Sequence, residues 1–308
     1  MAWFLNPIIK TVKNKFVSKE EPVKETKTEP KEEKKEAVAE EKPKKDFLVA
    51  PQPKKPQIKK QPKKEKAIDF HLSRGRSGEH YIAYLQAGTN TYSDTDTLQK
   101  IYKELLSHPK VSGLIIGTRP DCISSEILDI LEDLSHSNYI AVEYGIESVY
   151  DTTLQRVNRG HDFQCAIDAV AKTSSRGLDV GGHFIIGLPG ENREDIISGI
   201  TKINALNLDF IKFHQLQIYR STPMAREWVE YPERFALRDY TAEDYVDLMV
   251  DIIRRLDPSV AIERFASQAP RHLLVGSMLG GIKLDRLRAM IVARMRELGA
   301  VQGDMATK

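Results

Sequence analysis

Five apolar stretches of this chain each run into a small group of polar or glycine residues. The groups are Thr89/Asn90, Thr118/Arg119/Asp121, Glu147/Ser148, His183/Gly187 and His214/Gln215. Carboxylates such as Glu147 and Asp121 are strong acceptors for sugar hydroxyls. Arg159, in the segment after Glu147, is of the type that clamps a carboxylate or phosphate with paired N–H donors. Gly187-Leu188-Pro189-Gly190 turns the chain tightly and lets backbone approach a flat ring. Gathered at one rim, these residues make a polar pocket over an apolar floor. Taken singly, each also has a plain structural role. Arg119 and Asp121 can form a local turn bond, and His214 can be an ordinary buried histidine. Recurrence at successive apolar ends is the stronger signal, and it points to a shared ligand site.

Other chemistries find little support. No His-x-His or His-Glu-x-x-His spacing links His71, His80, His161, His183 and His214 into a hydrolytic metal site. No Gly-x-Ser-x-Gly elbow is present. Cys122 follows an apolar run, but no helper histidine is fixed by sequence. No catalytic residue and no metal ligand is therefore assigned.

The elements that must position these groups alternate. Tyr81–Leu85, Gly113–Gly117, Tyr139–Tyr144, Val180–Ile186, Phe210–Gln217 and Val260–Phe265 read as strands. Helical spacing falls between them, over Thr97–Ser107, Ser125–Leu134, Tyr150–Val157, Phe163–Ser175, Asn192–Leu206 and Thr241–Leu256, with Leu284–Leu298 last. Such alternation means a parallel sheet with right-handed helical crossovers: a barrel, an incomplete barrel or a doubly wound sheet. Ligands in these folds bind beyond the C-terminal strand ends, where the five groups lie. No Gly-x-Gly-x-x-Gly follows the first strand, which argues against a dinucleotide site.

Composition divides the chain. Residues 1–66 hold 19 Lys/Arg against 11 Asp/Glu and eight of the 15 prolines. Their net charge is +8 within a total of +2, which leaves about −6 on the remainder. Residues 1–18 read as a short basic amphipathic helix, with Trp3, Phe4, Ile8, Val12 and Phe16 at helical spacing. Residues 19–66 are a Lys/Glu/Pro-rich linker too poor in apolar side chains to fold. Residues 67–308 form the globular unit, and Ala67–Leu72 alternates like a short strand. The arm offers contact with RNA or an anionic membrane surface through charge. Two cysteines, Cys122 and Cys165, suit a reducing cytoplasm rather than a disulfide-built secreted domain. With no run of 18 apolar residues, the expectation is a cytoplasmic protein, peripheral to a membrane at most.

The sequence resembles the radical S-adenosylmethionine (radical SAM) superfamily, in the branch that includes the Elongator catalytic subunit. The resemblance rests on Val142-Glu-Tyr-Gly-Ile-Glu-Ser148, Val157-Asn-Arg-Gly-His161 and His183-x-x-x-Gly-Leu-Pro-Gly190. Tyr84-Leu-Gln-Ala87, Thr89-Asn-Thr-Tyr92, Gly117-Thr-Arg-Pro-Asp-Cys122, Asn158-Arg-Gly-His-Asp162 and Lys212-x-His-x-Leu216 are similar to the bacterial YhcC-like group. It implies an incomplete (β/α)6 barrel holding SAM and a [4Fe–4S] cluster. By position, Arg159 would meet the SAM carboxylate, Glu147 and His183 the methionine or ribose part, and Ile185 to Gly190 the adenine. Thr89 and Asn90 would meet the methionine amino group. Arg119, Asp121, Tyr144 and Gln215 would face an unknown small-molecule or RNA substrate.

The departure from the family is large. Its first strand and three-cysteine cluster loop should precede Tyr81, where this chain carries a cysteine-free arm. Two cysteines on separate elements do not anchor a cluster, and without one no deoxyadenosyl radical forms. The expected function is a degenerate or truncated SAM-binding protein. The alternative is a non-catalytic interaction protein tethered by its arm. Loss of the first strand would leave Tyr81–Leu85 as an open sheet edge, prone to self-association unless Ala67–Leu72 or Phe47–Ala50 covers it.

Overall fold

The computed structural model describes residues 80–306 apart from 87, 276–278 and 280. The expected N-terminal helix, linker, strand at Ala67–Leu72 and edge cover at Phe47–Ala50 lie outside these residues. Six strands form one parallel sheet in sequence order: β1 Tyr81–Leu85, β2 Val111–Thr118, β3 Tyr139–Glu147, β4 Asp179–Ile186, β5 Phe210–Gln215 and β6 Ala261–Arg264. Strands curving in sequence order, each joined to the next through helix, make the expected half-barrel.

The helices are α1 Thr95–Leu106, α2 Ser125–Ser135, α3 Asp151–Arg156, α4 Phe163–Ser174, α5 Arg193–Asn204, α6 Pro223–Glu230, α7 Ala242–Arg255 and α8 Leu284–Glu297. Local chemistry sets their starts. Asp94, Ser124 and Asp162 accept backbone N–H bonds that the first turns of α1, α2 and α4 leave free. Asn192 with Asp195, and Thr241 with Asp244, close reciprocal capping boxes on α5 and α7. Helix α6 was not anticipated. Only Ala225 and Trp228 of its eight residues are buried, so its apolar stripe is too thin to read.

Two apolar layers result. The larger lies between strands and helices, where Leu114, Val142, Tyr144, Phe184, Ile211 and Phe213 meet Leu128, Leu131, Ile200 and Met249. The smaller lines the concave face, where Ile82, Ile115, Ala141 and Phe210 pack with Tyr84. Strand alternation assigns residues to faces. One inward row crosses the sheet as Gly145, His183, Lys212 and Arg264, and the row below it runs Gly117, Glu143, Gly181 and Phe210.

Two register shifts adjust this row. On β3, Gly145 pairs with His183 but Glu147 with Phe184, so one residue is extra. On β6, Ile262 pairs with Ile211 but Arg264 with Lys212, which gives Glu263 and Arg264 the space of one residue. Bulges re-aim side chains, and both fall at the C-terminal rim.

The bare surface of Gly181 matters to the floor. A methyl group there would stand 2.1 Å from a Phe210 ring carbon. Gly181→Ala should cost about 1–3 kcal/mol through overpacking. Urea denaturation should show that loss, and Gly181→Ala/Phe210→Leu should recover much of it. An undiminished loss in the double variant would refute this account of the floor.

Candidate ligand site at the barrel rim

The concave face carries a buried charge network. Glu143 has no exposed side-chain surface. Its Oε2 accepts from the Tyr84 hydroxyl at 2.5 Å and from His183 Nε2 at 2.6 Å. Its Oε1 accepts a short hydrogen bond from Lys212 Nζ. Lys212 also meets Glu263 at 3.0 Å and the Tyr84 oxygen at 3.2 Å. The three donors of its ammonium are thereby committed. Burial alone would raise the Glu143 carboxyl, but the His183 hydrogen bond and the Lys212 charge outweigh it and hold it at about 2. With Glu143 ionised, His183 Nε2 must carry the hydrogen in their contact. Burial and the Glu143 charge push Tyr84 far up, so its hydroxyl keeps its proton.

Above this layer lies the rim. Glu147 takes φ 72°, a left-handed conformation that costs a non-glycine residue free energy and marks functional sites. The turn sets its carboxylate 3.4 Å from Arg159. Burial raises the Glu147 carboxyl, while Arg159 and His183 act the other way. Arg159 reaches over Gly145 and donates to its carbonyl at 2.5 Å. A methyl at position 145 would stand 2.6 Å from that guanidinium, so glycine makes the passage. Arg159 Nε is buried and lacks a hydrogen-bond partner.

Across the rim, Gly187 and Gly190 take φ 89° and 97° and shape the turn after β4. A buried carboxyl fastens that turn. Glu191 accepts a short hydrogen bond from the Ser148 hydroxyl, and burial raises its carboxyl above the usual range. Ile185, one inward position above His183, stands beside His214 on β5.

The structure thus brings Glu147, Arg159, His183, Ile185, Gly187 and Gly190 to one rim. Other expected residues have local tasks. Asn90 ties β1 to β2, donating to the carbonyls of Leu85 at 2.9 Å and Gly117 at 2.8 Å. Thr89 lies in the same connection, and its carbonyl accepts from Tyr92. Arg119 binds Asp121 through bonds of 2.8 and 2.5 Å, the local pair its spacing allows. Gln215 uses both ends of its amide on the Ser267 backbone. Tyr144 corrects the expectation of a substrate-facing residue. It lies on the helix side of β3, fully buried, 2.7 Å from the Thr173 hydroxyl, because strand alternation turns it away from Glu143.

Glu143, Lys212 and Tyr84 carry the buried network although the sequence motifs assign them no role. The available signal was opposite charges inside apolar strands, at Ala141-Val-Glu-Tyr144 and Phe210-Ile-Lys-Phe213. Such charges persist in a strand interior only when they meet.

A parallel half-barrel with its polar residues at the C-terminal rim defines a ligand-binding α/β barrel. The family model described as the Radical SAM superfamily matches residues 59–200, and that of the Radical_SAM C-terminal domain matches residues 208–297. YtqA of Bacillus subtilis (strain 168) is 33% identical over 239 residues, covering 76% of this chain and 73% of that protein. YhcC of Escherichia coli (strain K12) is 34% identical over 215 residues, covering 68% of each. The solved archaeal Methanocaldococcus infernus Elp3 with an N-terminal deletion superposes with TM-score 0.66 at 19% identity. That match covers 78% of this chain and 59% of the Elp3 chain. The chain belongs to the radical SAM superfamily, whose members bind SAM and a [4Fe–4S] cluster.

The residues present fit the two groups differently. The rim offers a carboxylate, a guanidinium with an unused buried donor, an aliphatic side chain and a glycine turn, which together suit SAM. The cluster does not fit. Cys122 lies in the turn after β2 and Cys165 in the first turn of α4, and the chain has no third thiol. Burial raises both thiols, Cys122 to about 11, the reverse of what a thiolate ligand requires. Among the described residues no three His, Cys, Asp or Glu side chains gather as a metal site, and no helix is long and apolar enough to cross a membrane.

The depressed Glu143 carboxyl has a pH signature. Its folded value of about 2 lies below the ordinary 4.5, so its contribution is present above pH 4.5 and lost as pH falls toward 2. Glu143→Gln should lose about 3–5 kcal/mol at neutral pH, since it strips a buried pair of one charge. Denaturation at stepped pH should show the gap to wild type narrowing from pH 4.5 downward. A gap that stays constant to pH 2.5 would refute an ionised Glu143.

Proposed function

We propose that this chain binds S-adenosylmethionine at the C-terminal rim of β3 and β4, without supplying the ligands that would let it cleave SAM reductively. The observation that carries this reading is the Glu147–Arg159 pair. It is held in strained backbone, with one guanidinium N–H buried and unused. Folding leaves such a group unsatisfied at a cost unless a ligand completes it.

In this reading Arg159 takes the carboxylate of the methionine moiety, and Glu147 the amino or ribose hydroxyl groups. Ile185 and the Gly187–Gly190 turn receive the adenine. Glu143 holds His183 by Nε2, which fixes the orientation of the imidazole. When bound, SAM supplies an electrophilic sulfonium and, with a reduced cluster, a 5′-deoxyadenosyl group. The second requirement is not met by Cys122 and Cys165, so this chain depends on another source of the cluster or has a binding role alone.

Calorimetry on the full chain should show saturable SAM uptake with a rise in melting temperature. Arg159→Ala should weaken it about 10- to 100-fold, the effect of losing charge-assisted hydrogen bonds. Absence of heat and of thermal shift at millimolar SAM would sink the reading and favour a purely interacting role.

A further inference from the structure

We propose that Arg264 and His214 form an oxyanion subsite on the concave face, where a substrate carboxylate or phosphate binds. Arg264 ends β6 and pairs in register with Lys212, in the inward row that contains His183. It is partly buried, and its side chain makes no hydrogen bond or ion pair among the described residues. Its positive charge acts to lower both the Tyr84 hydroxyl and the His214 ring. His214 stands one inward position above Lys212 and stacks on His183, with ring centroids 5.4 Å apart. Its Nε2 is buried without a hydrogen-bond partner.

The neighbouring charges explain why Arg264 is spare. Glu143 is held by Lys212, His183 and Tyr84, and Glu263 by Lys212. Arg264 contacts neither carboxylate. A purely structural role would place the guanidinium on one of them, since a partly buried arginine gains most from a bidentate partner. Instead the β6 bulge gives Glu263 to Lys212 and leaves Arg264 without a carboxylate partner among the described residues. Burial, with the charges of His183, Arg264 and Lys212, pushes His214 down to about 3. Its imidazole is therefore neutral and offers one N–H. A planar cation and a neutral donor on neighbouring strands β5 and β6 match a carboxylate or a phosphate oxygen face. The subsite stands on β5 and β6, whereas the SAM assignment stands on β3, β4 and Arg159.

The test titrates the full chain, free of SAM, with inorganic phosphate and separately with acetate at constant ionic strength. The readout is the His214 ring signal in ¹⁵N-histidine-labelled protein, assigned through its loss in His214→Gln. At least one anion should move the signal saturably. Phosphate alone would define a phosphate subsite, and acetate alone a carboxylate subsite. Arg264→Gln should weaken that response about tenfold or more, whereas Arg264→Lys, a point charge without the fork, should fall between. Melting curves of both variants report folding, and the lysine variant keeps the charge if the glutamine variant unfolds. A His214 signal unmoved by either anion at about 100 mM, weaker than any useful affinity, would overturn the proposal. So would an unchanged midpoint in Arg264→Gln. Because SAM is absent, failure here leaves the SAM assignment standing, and failure of SAM uptake leaves this one.

Discussion

Glu143 carries a full negative charge where its side chain has no contact with water. Unpaired, a carboxylate there would be far too costly to keep ionised. Lys212, His183 and Tyr84 converge on it from β5, β4 and β1, so one residue fixes the relative positions of three strands. The concave face of an open half-barrel lacks the layered side chains that fill a closed barrel. Here an ionic layer above a small apolar floor does that work. It also commits the donors of Lys212 and orients His183, which leaves only particular groups available to a ligand above.

The rim follows from two local irregularities. The extra residue in β3 and the left-handed turn at Glu147 set its carboxylate at the edge, 3.4 Å from Arg159. Gly145 opens the path by which Arg159 reaches back across the strand. The Ser148–Glu191 contact then ties the end of β3 to the turn after β4. These features concentrate strain and buried polar atoms at strand ends. Regular pairing elsewhere over-determines the backbone and holds them there.

Family membership and local chemistry part company at the cysteines. The superfamily model matches residues 59–200 and that of the C-terminal domain residues 208–297. Cluster anchoring needs thiolates converging on one point. The chain has two thiols, on elements that serve other packing, and burial keeps both protonated.

The alternation of apolar runs and helical spacing was enough to give the parallel sheet with helical crossovers, while the half-barrel followed from the family resemblance. Sheet and crossovers depend on local periodicity and on the handedness of crossovers, both of which act over short stretches of chain. Glu147 ends β3 and the Gly187–Gly190 turn follows β4, so both were legible for the same reason, whereas Arg159, beyond α3, stood out by residue type. Thin or non-local signals were not. Helix α6 buries only two residues, and the pleat turns Tyr144 away from the rim, toward the helices. The pairing of Glu143 with Lys212, 69 positions apart, and the solitary state of Arg264 exist only once four strands lie side by side. Sequence determined which charges enter the sheet. Tertiary structure alone decided which of them neutralise one another, because that depends on bulges and register that shift a side chain by one place.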